Sequence, residues 1–188
     1  MIIDTLATGL LDAIQEERMT NEQIRSSIEA ATKYLTGHPD EARYTDSPAT
    51  ATLVEGLVVR VDGPSGETLT TDMPSSVGGG GTGPSPGWLF RAALASCEAT
   101  LISMHAAAEG VELTLLEVTV DSESDDRGIL GIDQAVASGP LAIGVRVRIE
   151  APDAPGERLR AIAEWGLRHC PVEDAARRAV PVNVEIEI

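Results

Sequence analysis

The sequence predicts an α+β fold in which helices pack on a mostly antiparallel sheet. Three observations predict it. β-Branched, roughly alternating runs occupy residues 50–63, 67–72, 111–124 and 141–152. Two long stretches of helical period begin near Trp88 and Ala154. The two patterns follow one another as strands, helix, strands, helix, strand, which is neither an all-helical nor a parallel α/β order.

Residues 1 to about 36 read as two helices forming a hairpin. Leu6, Leu10 and Ile14 recur every four residues as one apolar stripe. Thr20 to Gln23, "TNEQ", fits a capping box that opens the second helix, with Ile24, Ile28, Ala31 and Leu35 turned inward. Gly37 and Pro39 stop it. The expected organisation is an N-terminal helical extension over residues 1–40 and a main domain over residues 46–188. The hairpin's stripe is expected to dock on the rest of the chain or on a second copy, because so small a unit is not stable alone.

"TATLVEGLVVRVDG" (Thr50–Gly63) and "ETLTTD" (Glu67–Asp72) flank the turn "DGPSG" and give two or three short antiparallel strands. The run Gly78–Gly83 is read as a flexible or sharply turning loop. From Trp88 the helix carries Leu89, Ala93, Ser96/Cys97, Thr100/Leu101 and Met104 on its expected inner face, and Gly110 ends it. "VELTLLEVTVDSES" is a strand, "DDRGILGIDQAVASGP" a long polar connection, and "LAIGVRVRIEAP" a second strand. "APGERLRAIAEWGLRHC" is a helix with Leu159, Ile162, Ala163 and Leu167 inward. A short helical piece, "VEDAARRA", then leads into a predicted last strand, "VPVNVEIEI".

Composition narrows the function. The chain carries 30 acidic against 14 basic residues, a net charge of −16, so it repels phosphate backbones and anionic headgroups. Only 3% of its residues are aromatic, so it offers no base-stacking platform. Nucleic-acid and membrane partners are therefore not expected. No apolar run approaches the roughly 20 residues a bilayer span needs. The N-terminus has Asp4 early and no basic leader, so the expected location is cytoplasmic.

Gly78, Gly80 and Gly83 formally match G-x-G-x-x-G, but four consecutive glycines make that match nearly automatic. Pro84 and Pro86 also separate the loop from the helix, so no nucleotide cofactor is expected. His38, His105 and His169 lack ligand spacing to one another or to cysteine, so no metal is expected. What remains is the two cysteines. A cysteine in an apolar helix is usually an inert small hydrophobe. Here, however, Cys97 lies within one long helix and Cys170 ends the other, and two packed helices can bring such positions together. Glu98 and Glu109, the acids nearest Cys97 in sequence, read as solvent-facing helix charges.

"GGGGTGPSPGWLFRAALASC" (Gly78–Cys97) resembles the first signature of the OsmC/Ohr family, and "HCPVEDAARRAVPVNVEIEI" (His169–Ile188) resembles its second; "DDRGILG" fits between them. The resemblance spans about residues 46–188 and implies mostly antiparallel sheets wrapped around two long central helices in an intertwined homodimer. It further implies a thiol-dependent peroxidase that reduces organic hydroperoxides, with Cys97 as the peroxidatic thiol, Cys170 as the resolving thiol and an external dithiol as reductant. The peroxidase members of the family supply an arginine from the first strands, held by a glutamate in a Pro-Glu step. In this chain the step is Pro86-Gly87, and Val54 stands where the arginine would fall. Arg60, Arg91 and Arg127 are the candidate thiolate-activating substitutes. The other reading is a divergent relative without efficient turnover, a dimer that binds a small apolar ligand or senses redox state.

Overall fold

The computed structural model describes residues 19–188; the predicted helix carrying Leu6, Leu10 and Ile14 lies outside them. Helix α1 (Asn21–Gly37) opens on Thr20 with the expected capping box: Thr20 Oγ1 accepts from the Gln23 amide at 3.2 Å, and Gln23 Oε1 accepts from the Thr20 amide at 2.7 Å. A 3-10 turn at Pro39–Ala42 follows. Strands β1 (Thr50–Glu55), β2 (Val58–Asp62) and β3 (Thr68–Thr71) form an antiparallel meander in that order. The register slips between Leu53 and Glu55, which leaves Val54 in a bulge.

Helix α2 (Pro86–Ala108) is the spine. Ser85 caps it, accepting from the Trp88 amide at 3.2 Å. Pro86 occupies the first turn, so the helix starts two residues before the expected Trp88. Gly110, at φ +67°, closes the far end, where the Val111 amide donates to the Ala106 carbonyl at 2.8 Å. Strands β4 (Leu115–Glu123) and β5 (Ala142–Glu150) pair antiparallel and enclose the single turn α3 (Asp126–Ile129) in their connection. Helix α4 (Gly156–Arg168) and the short α5 (Pro171–Arg177) complete the chain's regular structure. Helix α2 packs against α1, α4, α5 and β4, and α4 lies on β5. Ile102, Ala106, Val111, Leu159, Ile162 and Ala163 form the core between them.

Two expectations need correction. The inner face of α2 is Leu94, Glu98, Ile102 and Ala106, whereas Ala93, Ser96 and Met104 face outward. The helix is apolar almost all round, so periodicity alone does not select a face. The predicted last strand is absent: residues 178–188 pair with no strand among the described residues. Val182 and Ile186 are 81% and 80% exposed there, and their alternation finds no sheet edge among the described residues. In α1, Ile24 and Ile28 are half-buried as expected, while Ala31 and Leu35 stay exposed.

The α2–α4 contact is closed by Gly166. A Cβ there would meet Ile102 Cγ1 at 2.5 Å and the Ile102 backbone nitrogen at 2.8 Å. Gly166→Ala therefore forces the two helices apart. Urea unfolding at fixed protein concentration is expected to show a loss of about 3 kcal/mol, the upper end of overpacking costs.

Candidate active site

Asp72 organises the approach to α2. It is 1% exposed, and its carboxylate accepts from the amides of Met73, Gly80 and Thr82 and from the Thr82 hydroxyl, at 2.7–3.0 Å. These bonds hold its pKa below the usual carboxylate value, the Thr82 amide contributing most. The glycine run is thus a loop wrapped tightly on one carboxylate: a Cβ on Gly79 would lie 1.8 Å from the Met73 carbonyl oxygen. The wrap delivers the chain through Pro84 and Ser85 into the first turn of α2.

Cys97 lies roughly three turns into α2, beyond the reach of the helix N-terminus. It is half-buried, Cys170 is 1% exposed, and both are free thiols. The packing of α4 and α5 on α2 sets the Cys170 end of α4 against the helix that carries Cys97. Burial pushes the Cys170 thiol up to about 11, and hydrogen bonding to Cys97 adds to the rise. Cys170 is also the cap of α5: its Sγ accepts from the Glu173 amide at 3.4 Å, which opposes the rise without cancelling it. Beside this cap His105, Trp165 and His169 stack face to face, with ring centroids 4.1 and 4.0 Å apart.

Sequence reasoning misplaced Glu98 and missed Glu173 and Arg177. Glu98 is fully buried, and neither of its carboxylate oxygens has a hydrogen-bond partner among the described residues; the same holds for Glu173 Oε2. Burial, and then the charge of Glu173, raise the Glu98 pKa from 4.5 to about 7, while Arg177 works the other way. Arg177 Nε holds Glu173 Oε1 at 2.7 Å. The i, i+4 ladder Leu94–Glu98–Ile102 was the signal for this burial. Glu109 is exposed as expected, 3.5 Å from Arg158.

The raised pKa has a consequence for stability. The folded chain keeps a proton on Glu98 at pH values where the unfolded chain has lost it, so stability falls as pH rises from about 4.5 to about 7. Glu98→Gln is expected to remove that slope and to stabilise the protein above pH 7 by at most about 3 kcal/mol. Urea titrations across this range, at one protein concentration, check it.

None of the three candidate arginines is bonded to a thiol among the described residues. Arg60 is exposed on β2 and donates to Asp62 at 2.8 Å. Arg127 is tied to Asp125 on the β4–β5 connection. Arg91 Nη1 reaches Ser122 on β4 at 3.2 Å, and a Cβ at Gly87 would lie 4.0 Å from that same nitrogen. A carboxylate at position 87 would therefore stand beside Arg91. Val54 is 61% exposed in its bulge. A cleft of about 250 Å³ opens next to Glu173, lined by Leu94, Leu141, Ile143, Val145 and Arg177. No group of metal-ligating side chains occurs among the described residues. Nor is any described helix long and apolar enough to cross a membrane.

Known structures share this architecture. The OsmC-like protein of Mycoplasma pneumoniae superposes with a TM-score of 0.61 at 17% identity, covering 72% of this chain and 89% of that one. An OsmC-like protein of unknown function from Vibrio cholerae gives 0.59 at 11% identity, over 70% and 94% of the two chains. An organic hydroperoxide resistance protein OsmC from Legionella pneumophila, a predicted redox protein, gives 0.53 at 21%, over 72% and 91%. These likenesses establish the OsmC/Ohr fold. No curated protein matches the sequence. The family model for OsmC-like protein matches residues 78–185, more than half of the chain and both cysteine segments. The chain belongs to the OsmC family.

Proposed function

We propose that the protein is a thiol-dependent peroxidase that reduces organic hydroperoxides through a Cys97/Cys170 dithiol–disulfide cycle. The observation that carries this reading is the placement of two free thiols, Cys97 half-buried on α2 and Cys170 buried at the α4–α5 junction that packs on α2, near enough that Cys97 raises the pKa of Cys170. Cys97 is the accessible member and attacks the peroxide oxygen. The O–O bond breaks, an alcohol leaves, and Cys97 becomes a sulfenic acid. Cys170, buried and held protonated, stays out of the first step and closes the disulfide in the second, releasing water. An external dithiol, such as a lipoyl protein, restores both thiols. In the cleft beside Glu173, Leu94, Leu141, Ile143 and Val145 would take the hydrocarbon part of an organic hydroperoxide, and Arg177 its polar end.

The working unit in this proposal is a homodimer built on residues 46–188, with residues 1–40 as an extension that lengthens the interface. Leu53 and Leu69 are exposed on the three-stranded sheet and Leu57 at its β1–β2 turn, Leu141, Ile143 and Val145 on the β5 side, and alternate residues of 180–188 beyond α5. Faces this apolar, flanked by free strand edges, need a partner. We place the protein in the cytoplasm, where a free dithiol persists.

The second reading is a ligand-binding or redox-sensing dimer with slow turnover. It is favoured by the carboxylate partners of Arg60 and Arg127 and by the absence of a carboxylate at Gly87. Stopped-flow reduction of cumene hydroperoxide separates the two. The peroxidase reading expects a rate constant at least roughly 10³ times that of free cysteine, about 4 kcal/mol of transition-state stabilisation. A rate equal to free cysteine leaves the second reading standing.

A further inference from the structure

We propose that the His105–Trp165–His169 stack is a clamp for the resolving thiol: it fastens the end of α4, one residue before Cys170, to α2, the helix that carries Cys97, and so holds Cys170 in place for disulfide closure. The inference rests on the dithiol reading given above and adds positioning residues to it. His105 lies on α2 about two turns beyond Cys97, Trp165 lies on α4, and His169 is the residue that ends α4. The three rings are nearly parallel, 14° apart at one contact and 19° at the other, with centroids 4.1 and 4.0 Å apart. One continuous stack therefore crosses from α2 to the residue that precedes Cys170.

The junction is fastened at a second point. The Trp165 carbonyl accepts from the His169 amide at 3.1 Å and from its ring Nδ1 at 2.7 Å; a carbonyl can only accept, so Nδ1 carries the proton. Ring and backbone of His169 are thus both tied to Trp165, and the Cys170 amide donates to the Leu167 carbonyl at 3.3 Å. Trp165 in turn adjoins Gly166, which rests on Ile102, one turn before His105. The stack lies beside this close approach of the two helices, so rings and glycine fix the same spacing.

Closure has a strict geometry. The Cys170 sulfur joins the Cys97 sulfur as the sulfenic S–O bond breaks and water leaves, and the bond formed needs Cα atoms about 4.4–6.8 Å apart. A displacement of about 1 Å in a reacting group can cost roughly 10²-fold in rate. Flat rings in contact face to face set a direction of approach, whereas an aliphatic side chain of similar volume only fills the space. His105 and Trp165 are half-buried and His169 is exposed, so the stack sits at the rim of the core formed by Ile102, Ala106, Leu159 and Ile162. Its task is alignment rather than burial.

An aromatic disulfide, dithiobis-nitrobenzoate, tests the clamp without hydroperoxide. Cys97 releases one coloured thiolate as it forms the mixed disulfide, and attack by Cys170 on that bond releases the second. The ratio of second-phase to first-phase rates isolates the closure. His169→Leu, at an exposed position, is expected to leave the first phase unchanged and to lower the ratio about 10²-fold. His105→Leu, at the other end of the stack, should do the same. His169→Phe should restore most of the lost rate, because a phenyl ring stacks without the Nδ1 bond. An unchanged ratio in either leucine variant would overturn the proposal and leave the dithiol reading standing, as would a phenylalanine variant as slow as the leucine one. No second release from the wild type would overturn both. Stack-dependent closure in a protein inert to hydroperoxide would support the clamp and sink only the peroxidase reading.

Discussion

Cys97→Ser is expected to abolish hydroperoxide reduction, with a loss of at least roughly 10³-fold in rate, about 4 kcal/mol of transition-state stabilisation. Serine keeps the volume of the side chain and removes the atom that attacks. Cys170→Ser should behave differently. Its partner would still attack once, because Cys170 is buried and protonated and takes no part in the first step. The product would stop at the sulfenic acid, trappable by a dimedone-type reagent, and would overoxidise with excess hydroperoxide. If the two serine variants were equally inert in the first step, the division of roles between the thiols would be wrong.

The second large effect is on assembly. Removing residues 180–188 is expected to raise the dissociation constant of the proposed dimer more than roughly 10³-fold, about 4 kcal/mol. Val182, Val184, Ile186 and Ile188 are almost wholly exposed in the single chain. Each such side chain stabilises by about 1.5–3 kcal/mol when fully buried, so a segment with several of them contributes far more than a rim contact. Sedimentation equilibrium of the full chain and the truncated one checks this. A full chain that sediments as a monomer at micromolar concentration would remove both the dimer and the role given to the segment.

This segment also shows how far the sequence could be read. Its alternation was legible and strand-like, yet among the described residues no edge receives it, because strand pairing depends on a partner strand as well as on local pattern. The five strands, the capping box at Thr20 and the inward residues Leu159, Ile162 and Ala163 were legible, since each follows from local period or local hydrogen bonding. Both cysteine segments were also legible, as the family match over residues 78–185 bears out. The inner face of α2 was not, because a helix of alanines and aliphatics has no polar side to point outward. Nor was the burial of Glu98, for a glutamate in an otherwise apolar helix is ordinarily taken for the exposed one. Asp72 looked like the end of a strand; only the folded loop reveals three amides and a hydroxyl converging on it.

The most direct test of the central claim is a single turnover: one equivalent of cumene hydroperoxide added to the reduced protein at neutral pH, with free thiols counted and peptides mapped by mass. The expected result is the loss of two thiols per chain and a disulfide joining the peptides that carry Cys97 and Cys170. Thiol loss no faster than that of free cysteine, or a disulfide that joins Cys97 to any other partner, would contradict it.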